Sequence, residues 1–183
     1  MKTIKLLVLV GSNRKGSYNV ALAQHIKSLL PPEFEWNAPD LFQLPFYNDD
    51  LQNSGPPSQV TAFQQLARES QALFVISPEY NWGIPAVIKN AIDWGSRPWP
   101  QCPMGKKPVL LAGASAGPLG TGRLQLALRQ VFACTKNYTL DTGDILVSFA
   151  SKKFDSMGKI IDDDTKIAVK KNLDLFITGL NKL

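Results

Sequence analysis

The chain has 183 residues, a length that we expect to form a single domain with a full hydrophobic core. Its two cysteines, Cys102 and Cys134, are too far apart in sequence to suggest a zinc site or a disulfide framework. The net charge is +5, but the basic residues are scattered, so they indicate a solvated surface and we predict no nucleic-acid partner.

Two further features narrow the class of protein. His25 is the single histidine, which argues against a histidine-based metal site or acid–base triad, and we predict no metal. The apolar run that follows Met1-Lys2-Thr3 is too short to span a membrane, and no small-residue cleavage site follows it. We therefore expect a cytoplasmic protein with no membrane association.

The N-terminal half alternates between apolar runs and helical patterns. In chain order it predicts a strand at Ile4–Val10, a helix at Ala21–Leu30, a strand at Phe34–Asn37, an irregular loop at Leu41–Gln52, a helix from Pro56 to Ala67 and a strand at Ala72–Ile76. The first helix should stop at Pro31-Pro32, and Pro56-Pro57-Ser58 should open the second.

The C-terminal half continues the alternation. It predicts a helix at Ile84–Trp94, a proline-rich loop at Arg97–Lys107, a strand at Pro108–Ala112, a small-residue loop at Gly113–Gly122, a helix at Leu124–Phe132, fifth-strand segments at Tyr138–Leu140 and Ile145–Phe149 with an interruption at Asp141-Thr142-Gly143-Asp144, and a last helix towards Thr178. Asp162-Asp163-Asp164 resembles a metal cluster, but acids that open a helix offset its dipole, so we favour a capping role.

Strands that alternate with helices indicate a parallel sheet with helices on both faces. Ligands of such sheets bind beyond the carboxyl ends of the strands. Three polar, glycine-bearing loops should leave that edge: Gly11–Asn19 after the first strand, Ser77–Gly83 after the third and Gly113–Gly122 after the fourth.

The first loop has the chemistry of a phosphate cradle. It joins a buried strand to a helix N-terminus, and Ser12, Arg14, Ser17 and Asn19 all carry groups that can donate to a phosphate. Ser17 stands where a P-loop has lysine, and the dinucleotide fingerprint Gly-x-Gly-x-x-Gly is absent. The loop therefore fits the single phosphate of a mononucleotide cofactor, or is an ordinary turn in which Ser17 or Asn19 caps the helix.

The segment 77–94 reads Ser-Pro-Glu-Tyr-Asn-Trp-Gly-Ile-Pro-Ala-Val-Ile-Lys-Asn-Ala-Ile-Asp-Trp. It resembles the Pro-Glu-Tyr-Asn … Leu-Lys-Asn-Ala-Ile-Asp-Trp signature of the NADPH-dependent FMN reductase family, which includes quinone, azo-dye and chromate reductases. The first loop is similar to that family's Gly-Ser-x-Arg-x-x-Ser-x-Asn pattern. The resemblance implies a flavodoxin-like α/β three-layer sandwich, with a five-stranded parallel sheet in the order 2-1-3-4-5 and helices on both faces.

The resemblance also implies which residues bind FMN. They are Ser12, Arg14, Ser17, Tyr18 and Asn19 around the phosphate, Pro78, Glu79, Tyr80, Asn81 and Trp82 along the isoalloxazine, and Ser115, Ala116 and Gly117 on the other side of the ring. Ala86 departs from the family's usual glycine and Gly83 from its common serine, and Trp82 is bulky for its position. Tyr80 and Trp82 could wall the slot or stack on a nicotinamide or quinone, or Trp82 could pack in a core or interface.

The same resemblance implies a mechanism and partners. NADPH would reduce the bound FMN, and small-molecule electron acceptors such as quinones, azo compounds, chromate or free flavin would reoxidise it. We therefore predict no catalytic side chain. The alternatives are an electron carrier without its own substrate and a non-catalytic scaffold. A homodimer or homotetramer is implied through the helices Ile84–Trp94 and Leu124–Phe132, and Trp82, Trp94 and Trp99 are expected to cluster where a second subunit could cover them.

Overall fold

β1 (Ile4–Val10) lies inside the sheet because aliphatic side chains alternate to both of its faces. A computed structural model describes residues 3–140 and 143–183 of the protein. In it β1 pairs in parallel with β2 (Phe34–Asn37) on one side and β3 (Ala72–Ile76) on the other, with Val10 opposite Ile76. β4 (Pro108–Ala114) then pairs with β3, and the predicted order 2-1-3-4-5 is confirmed.

The fifth position of the sheet holds two short strands in succession. β5 (Tyr138–Thr139) pairs with the start of β4 at Pro108, and β6 (Ile145–Val147) pairs with the end of β4 as far as Ala114. Both are parallel to β4. The predicted interruption is therefore real at Gly143-Asp144, while Asp141-Thr142 lie outside the described residues.

Helices cover both faces, which confirms the three layers. They are α1 (Tyr18–Ser28), α2 (Asp49–Asn53), α3 (Ser58–Glu69), α4 (Ala86–Gly95), α5 (Gly122–Cys134) and α6 (Asp163–Leu180). Leu6 and Val8 of β1 join the core beneath α1 and α6, whereas Leu7 and Leu9 join the core beneath α3, α4 and α5. No helix of the described residues has the length and apolar character that crossing a membrane requires.

Several predicted boundaries were wrong. The 41–52 loop contains a 3₁₀ turn at Leu41–Gln43 and begins α2, which Asn48 caps by accepting from the Asp50 N–H at 2.7 Å. α4 begins at Ala86, because Pro85 occupies the position just before the helix. β4 runs two residues further than predicted, because its end at Gly113 and Ala114 gains a neighbour in β6.

The capping role of the acidic run is confirmed at Asp162. Its carboxylate accepts from the Thr165 N–H at 2.9 Å, and Asp163 and Asp164 follow in the first turn of α6. The Thr165 hydroxyl also donates to this carboxylate, and the hydroxyl and the N–H together hold the pKa of the Asp162 carboxyl below its ordinary value.

The tryptophans do not cluster as expected. Trp94 is fully buried, and its indole N–H donates to the Pro45 carbonyl at 2.7 Å. Trp99 is exposed, but it lies in the segment that precedes β4, at the edge of the sheet opposite the three predicted loops. Only Trp82 lies on those loops, so the sequence argument for a shared tryptophan surface was wrong.

Candidate active site

The three predicted loops converge, because β1, β3 and β4 are neighbours and their carboxyl ends meet at one edge of the sheet. A cleft of about 220 Å³ lies between the loops. Its lining comprises Ser12, Arg14, Ser17, Tyr18, Asn19, Pro78, Glu79, Tyr80, Ala114, Ser115 and Ala116. These include every predicted FMN contact except Asn81, Trp82 and Gly117, and add Ala114, which was predicted only as part of the loop.

A second cleft, of about 430 Å³, adjoins the first and shares Ser12, Arg14 and Tyr80 with it. Aliphatic and aromatic side chains make up most of its remaining wall: Leu41, Phe42, Leu44, Phe46, Pro85, Ala86 and Val87. Sequence reasoning missed the contribution of the 41–46 segment. The available signal was its apolar yet irregular composition, which is unusual for a loop that only connects elements.

Asn90 and Trp94 of α4 hold that segment against the cleft. The Asn90 Oδ1 accepts from the Tyr47 N–H at 2.7 Å, and its Nδ2 donates to the Pro45 carbonyl at 3.0 Å. The Trp94 N–H reaches the same carbonyl. Asn90 itself is buried.

The first loop packs tightly on the second. A Cβ at Gly11 would lie 2.2 Å from the Ser77 Oγ, so only glycine allows this approach. Ser17 caps α1 by accepting from the Val20 N–H at 3.4 Å. The exposed Arg14 guanidinium donates to the carbonyls of Lys15 and Gly16, at 3.1 Å each, which places its charge at the mouth of the loop.

Asn19 has a different task from the one its sequence pattern suggested. Its Oδ1 accepts from the Ala114 N–H at 2.8 Å, and its Nδ2 donates to the Ala114 carbonyl at 2.9 Å. The side chain is buried, and both of its polar groups are engaged. Asn19 therefore ties the start of α1 to the end of β4, and its backbone N–H lies in the first turn of α1.

The second loop ends in a two-residue turn. The Gly83 N–H donates to the Tyr80 carbonyl at 2.9 Å, and the Tyr80 N–H to the Gly83 carbonyl at 3.3 Å. Between them, Asn81 and Trp82 have φ angles of 49° and 64°, as in a type I′ turn. Tyr80 is 55% exposed and Trp82 71%, so neither ring is packed in a core.

Glu79 lines the cleft, and its carboxylate contacts the start of α5. Its Oε2 accepts from the Leu124 N–H at 2.9 Å, and its Oε1 lies 3.9 Å from the Arg123 guanidinium. A carboxylate at this place satisfies a first-turn N–H and complements the helix dipole. Glu79 thereby fixes the second loop to α5, the helix that follows the third loop.

The third loop is held close by small residues. A Cβ at Gly113 would lie 2.1 Å from the Thr121 Oγ1 and 2.6 Å from the Ser77 carbonyl. The Ser115 N–H donates to the Val147 carbonyl at 2.9 Å, and its Oγ accepts from the Gly117 N–H at 3.0 Å. The side chains of Ser115 and Ala116 are small, so this wall of the cleft extends little beyond the backbone.

The donor set fits FMN. At one end, the first turn of the 11-residue helix α1 offers N–H groups and a positive dipole beside Arg14, which suits a phosphate. At the other end, Pro78, Tyr80, Ser115 and Ala116 form the walls of a slot with backbone hydrogen-bonding groups. A ring that is partly apolar and partly polar matches such a slot.

This fold and edge geometry define a flavodoxin-like protein with a mononucleotide site. The NADPH-dependent FMN reductase family model matches residues 4–152. The chain is 39% identical to an NAD(P)H-dependent FMN reductase of Pseudomonas aeruginosa, over 98% of this chain and 97% of that protein. It is 34% identical to a quinone reductase of Escherichia coli K12, over 88% and 87% of the two chains.

A solved structure agrees. The flavoenzyme NAD(P)H:(acceptor) oxidoreductase FerB from Paracoccus denitrificans is 29% identical, with a TM-score of 0.90 over 98% of both chains. The chain belongs to the NADPH-dependent FMN reductase family. It is therefore an oxidoreductase of the class that uses FMN and NAD(P)H, as its two sequence motifs predicted.

Proposed function

We propose that this protein binds FMN between the three loops and transfers reducing equivalents from NAD(P)H to quinones or similar acceptors, including azo compounds, chromate and free flavin. The observation that carries the proposal is the convergence of three separate segments, 12–19, 78–80 and 115–116, on one cleft. When bound, FMN supplies the redox chemistry, and the chain supplies position and hydrogen bonds.

We assign the phosphate to the first loop. Ser12 and Ser17 offer hydroxyl groups, Tyr18 and Asn19 offer first-turn N–H groups, and Arg14 offers the charge. The side chains of Glu79 and Asn19 act indirectly, because they tie the loops to neighbouring elements. The backbone of Pro78, Tyr80 and Asn81 and the small residues Ser115, Ala116 and Gly117 then flank the ring from its two sides.

We assign the acceptor to the larger cleft. Its wall combines Phe42, Phe46, Tyr80 and Val87, which suits a planar, largely apolar molecule such as a quinone. Ala86 adds a methyl group to this wall where relatives of the family commonly have glycine, so it narrows the acceptor cleft rather than the flavin slot.

Rapid mixing tests the function. Under anaerobic conditions, NADPH should bleach the flavin of the purified yellow protein, and a quinone should restore the colour over many cycles. A flavin that stays oxidised in excess NADPH, yet is reduced by a partner protein, would instead identify an electron carrier. A protein purified without FMN that cannot be loaded with it would favour the scaffold alternative.

We further propose a homodimer or homotetramer in the cytoplasm. Leu119, Leu126 and Leu146 are all exposed, and they lie on or beside α5, one of the helices expected to form the contact. Sedimentation at micromolar protein should show no monomer peak. A monomer only, or an assembly that persists after Leu126→Glu, would contradict contact through α5.

A further inference from the structure

A fourth segment of the chain reaches the carboxyl edge of the sheet. β6 is parallel to β4, so the residues that follow Val147 enter the same edge as the three loops of the site. The sequence predicts that this strand continues to Phe149, but it ends at Val147, and a 3₁₀ turn follows at Ala150–Lys152. Phe149 does not line the cleft between the loops, so a role in the site has to be indirect.

Three backbone hydrogen bonds join this segment to the third loop. The Ser115 N–H donates to the Val147 carbonyl at 2.9 Å. In the other direction, the Phe149 N–H donates to the Gly117 carbonyl at 3.0 Å, and the Ala150 N–H donates to the Ser115 carbonyl at 2.9 Å. All three bonds lie within one chain, so they do not depend on whether a second subunit covers the exposed Phe149 ring.

A left-handed bend at Phe149 allows two of these bonds. Its φ and ψ angles are 50° and 40°, a conformation that is rare for a bulky residue. In an extended strand, consecutive N–H groups point to opposite sides, whereas a left-handed residue can turn two of them to the same side. The N–H groups of Phe149 and Ala150 both reach the third loop, so the strained conformation has a local cause.

The bonds determine which backbone donor the third loop can offer to a ligand. The Ser115 N–H is engaged by Val147, and the Gly117 N–H donates to the Ser115 Oγ at 3.0 Å. Among the residues that the structure describes, none accepts a hydrogen bond from the Ala116 N–H. Ala116 lines the cleft, so its N–H is the donor that remains for a bound ring.

We propose that Phe149 is a positioning residue of the flavin site, an inference that rests on the proposed function. Its left-handed bend lets two consecutive N–H groups fix the third loop in a form that presents the Ala116 N–H to the isoalloxazine ring. A donor at the ring stabilises the negative charge that the flavin gains on reduction. The bend therefore contributes both to affinity for the ring and to its reduction potential.

Substitutions at Phe149 separate the bend from the aromatic side chain. Phe149→Gly removes the ring, but glycine adopts a positive φ readily, so the bend and both N–H groups remain. Phe149→Val keeps both N–H groups, but a β-branched residue resists this conformation, so the bend should open. Lys136→Val is the matched control, since Lys136 has a φ of 59° but lies at the amino edge of the sheet, just before β5.

Calorimetric titration of the apoprotein tests the role with FMN and with riboflavin, which lacks the phosphate. Phe149→Val should weaken binding of both about tenfold, because the contacts to the ring are common to the two ligands. Phe149→Gly and Lys136→Val should bind both as the unaltered protein does. Unchanged affinity in Phe149→Val, or an equal loss in Phe149→Gly, would overturn the role of the bend.

The midpoint potential of the bound flavin distinguishes positioning from a general loss of stability. Phe149→Val should shift this potential to a more negative value, because the reduced ring loses its donor, whereas Lys136→Val should lower only the free energy of unfolding. A Phe149→Val protein that is less stable but keeps the unaltered potential would overturn the positioning role alone. An unaltered protein that binds neither FMN nor riboflavin would overturn the proposed function, and this role with it.

Discussion

At the amino edge of the sheet, polar side chains bind the chain to itself. The Lys107 ammonium donates to the Ser70 carbonyl at 2.6 Å, the Arg68 carbonyl at 3.1 Å and the Ala67 carbonyl, and so caps the end of α3. At the carboxyl edge, by contrast, Tyr80 and Trp82 are exposed and Arg14 lies at a cleft mouth.

The difference shows that polar residues at the amino edge of the sheet stabilise the fold, whereas those at the carboxyl edge are available for binding. Burial lowers the pKa of Lys107 to about 8, so the group remains largely charged at neutral pH and its donors serve the helix end. Asn137 likewise donates to the Met104 carbonyl at 2.7 Å. Substitutions at the amino edge should therefore lower stability alone, and substitutions at the carboxyl edge should lower affinity for FMN.

Lys107→Met should have the largest effect, and on stability only. The methionine keeps the apolar stem but leaves the carbonyls at the end of α3 without their donor, which should lower the free energy of unfolding by about 3 kcal/mol. Urea denaturation measures the loss, and FMN titration should show unchanged affinity. Lys89→Met is the control, because Lys89 forms an exposed ion pair with Asp93, and losing that pair should cost about 0.5 kcal/mol. An equal loss in both variants would refute the capping role.

Asn19→Leu should lower both the free energy of unfolding and the affinity for FMN, since Asn19 joins the phosphate loop to the sheet. The buried N–H and carbonyl of Ala114 would lose their partners, at a cost of about 2 kcal/mol in unfolding free energy. FMN affinity should fall as well, because the loop is no longer fixed. Asn19→Asp keeps an acceptor for the Ala114 N–H but sets a buried carboxylate oxygen against the Ala114 carbonyl, so it should also be less stable than the unaltered protein. Reduced stability with full FMN affinity would contradict the proposed coupling.

Arg14→Ala should lower FMN affinity by about 1–2 kcal/mol, because one charge-assisted contact to the phosphate is lost. Calorimetric titration of the apoprotein measures the change, and unfolding free energy should stay nearly constant since the side chain is exposed. Ser17→Ala should also weaken binding. Lys15→Ala is the control, being a neighbouring exposed cation outside the lining of the cleft. Unchanged affinity in both Arg14→Ala and Ser17→Ala would refute the loop assignment.

Glu79→Gln should have the smallest effect on the free energy of unfolding. The amide oxygen can still accept from the Leu124 N–H, so only the attraction to the partly exposed Arg123 is lost, which should lower the free energy of unfolding by about 0.5 kcal/mol. Glu79→Ala removes the hydrogen bond too and should cost about 1 kcal/mol more. Urea denaturation of the two variants compares them. Equal losses would show that the helix contact contributes nothing.

The sequence predicted the strands of the sheet well, because a strand packed in a core has a recognisable local pattern of apolar residues. Ile4–Val10 and Ala72–Ile76 are mostly apolar runs with clear boundaries, Phe34–Asn37 alternates aromatic and polar residues, and all three have the predicted bounds. The end of β4 was missed, because Gly113 and Ala114 become strand only through pairing with β6, which is distant in sequence. Its neighbour in space, rather than its composition, decides that extension.

The sequence predicted which loops form the site but not which partner each of their side chains contacts. The motifs indicated which segments meet, and the topology brings them together at one edge. They did not indicate that the Asn19 side chain hydrogen-bonds to the Ala114 backbone, or that the Glu79 carboxylate accepts from an N–H in the first turn of α5. Nor could periodicity show that the 41–46 segment forms a wall, because α4 residues Asn90 and Trp94 hold it there.

The bond between Asn19 and Ala114 has a consequence for the order of folding. It joins residues 95 positions apart, so the phosphate loop cannot reach its final form until β4 has been made and has paired with β3. Contacts of such long range form late, after the cost of closing the intervening chain has been met. A growing chain that has released only β1 and α1 holds the binding motif without a usable cradle. We therefore expect cofactor capture to follow the closing of the sheet.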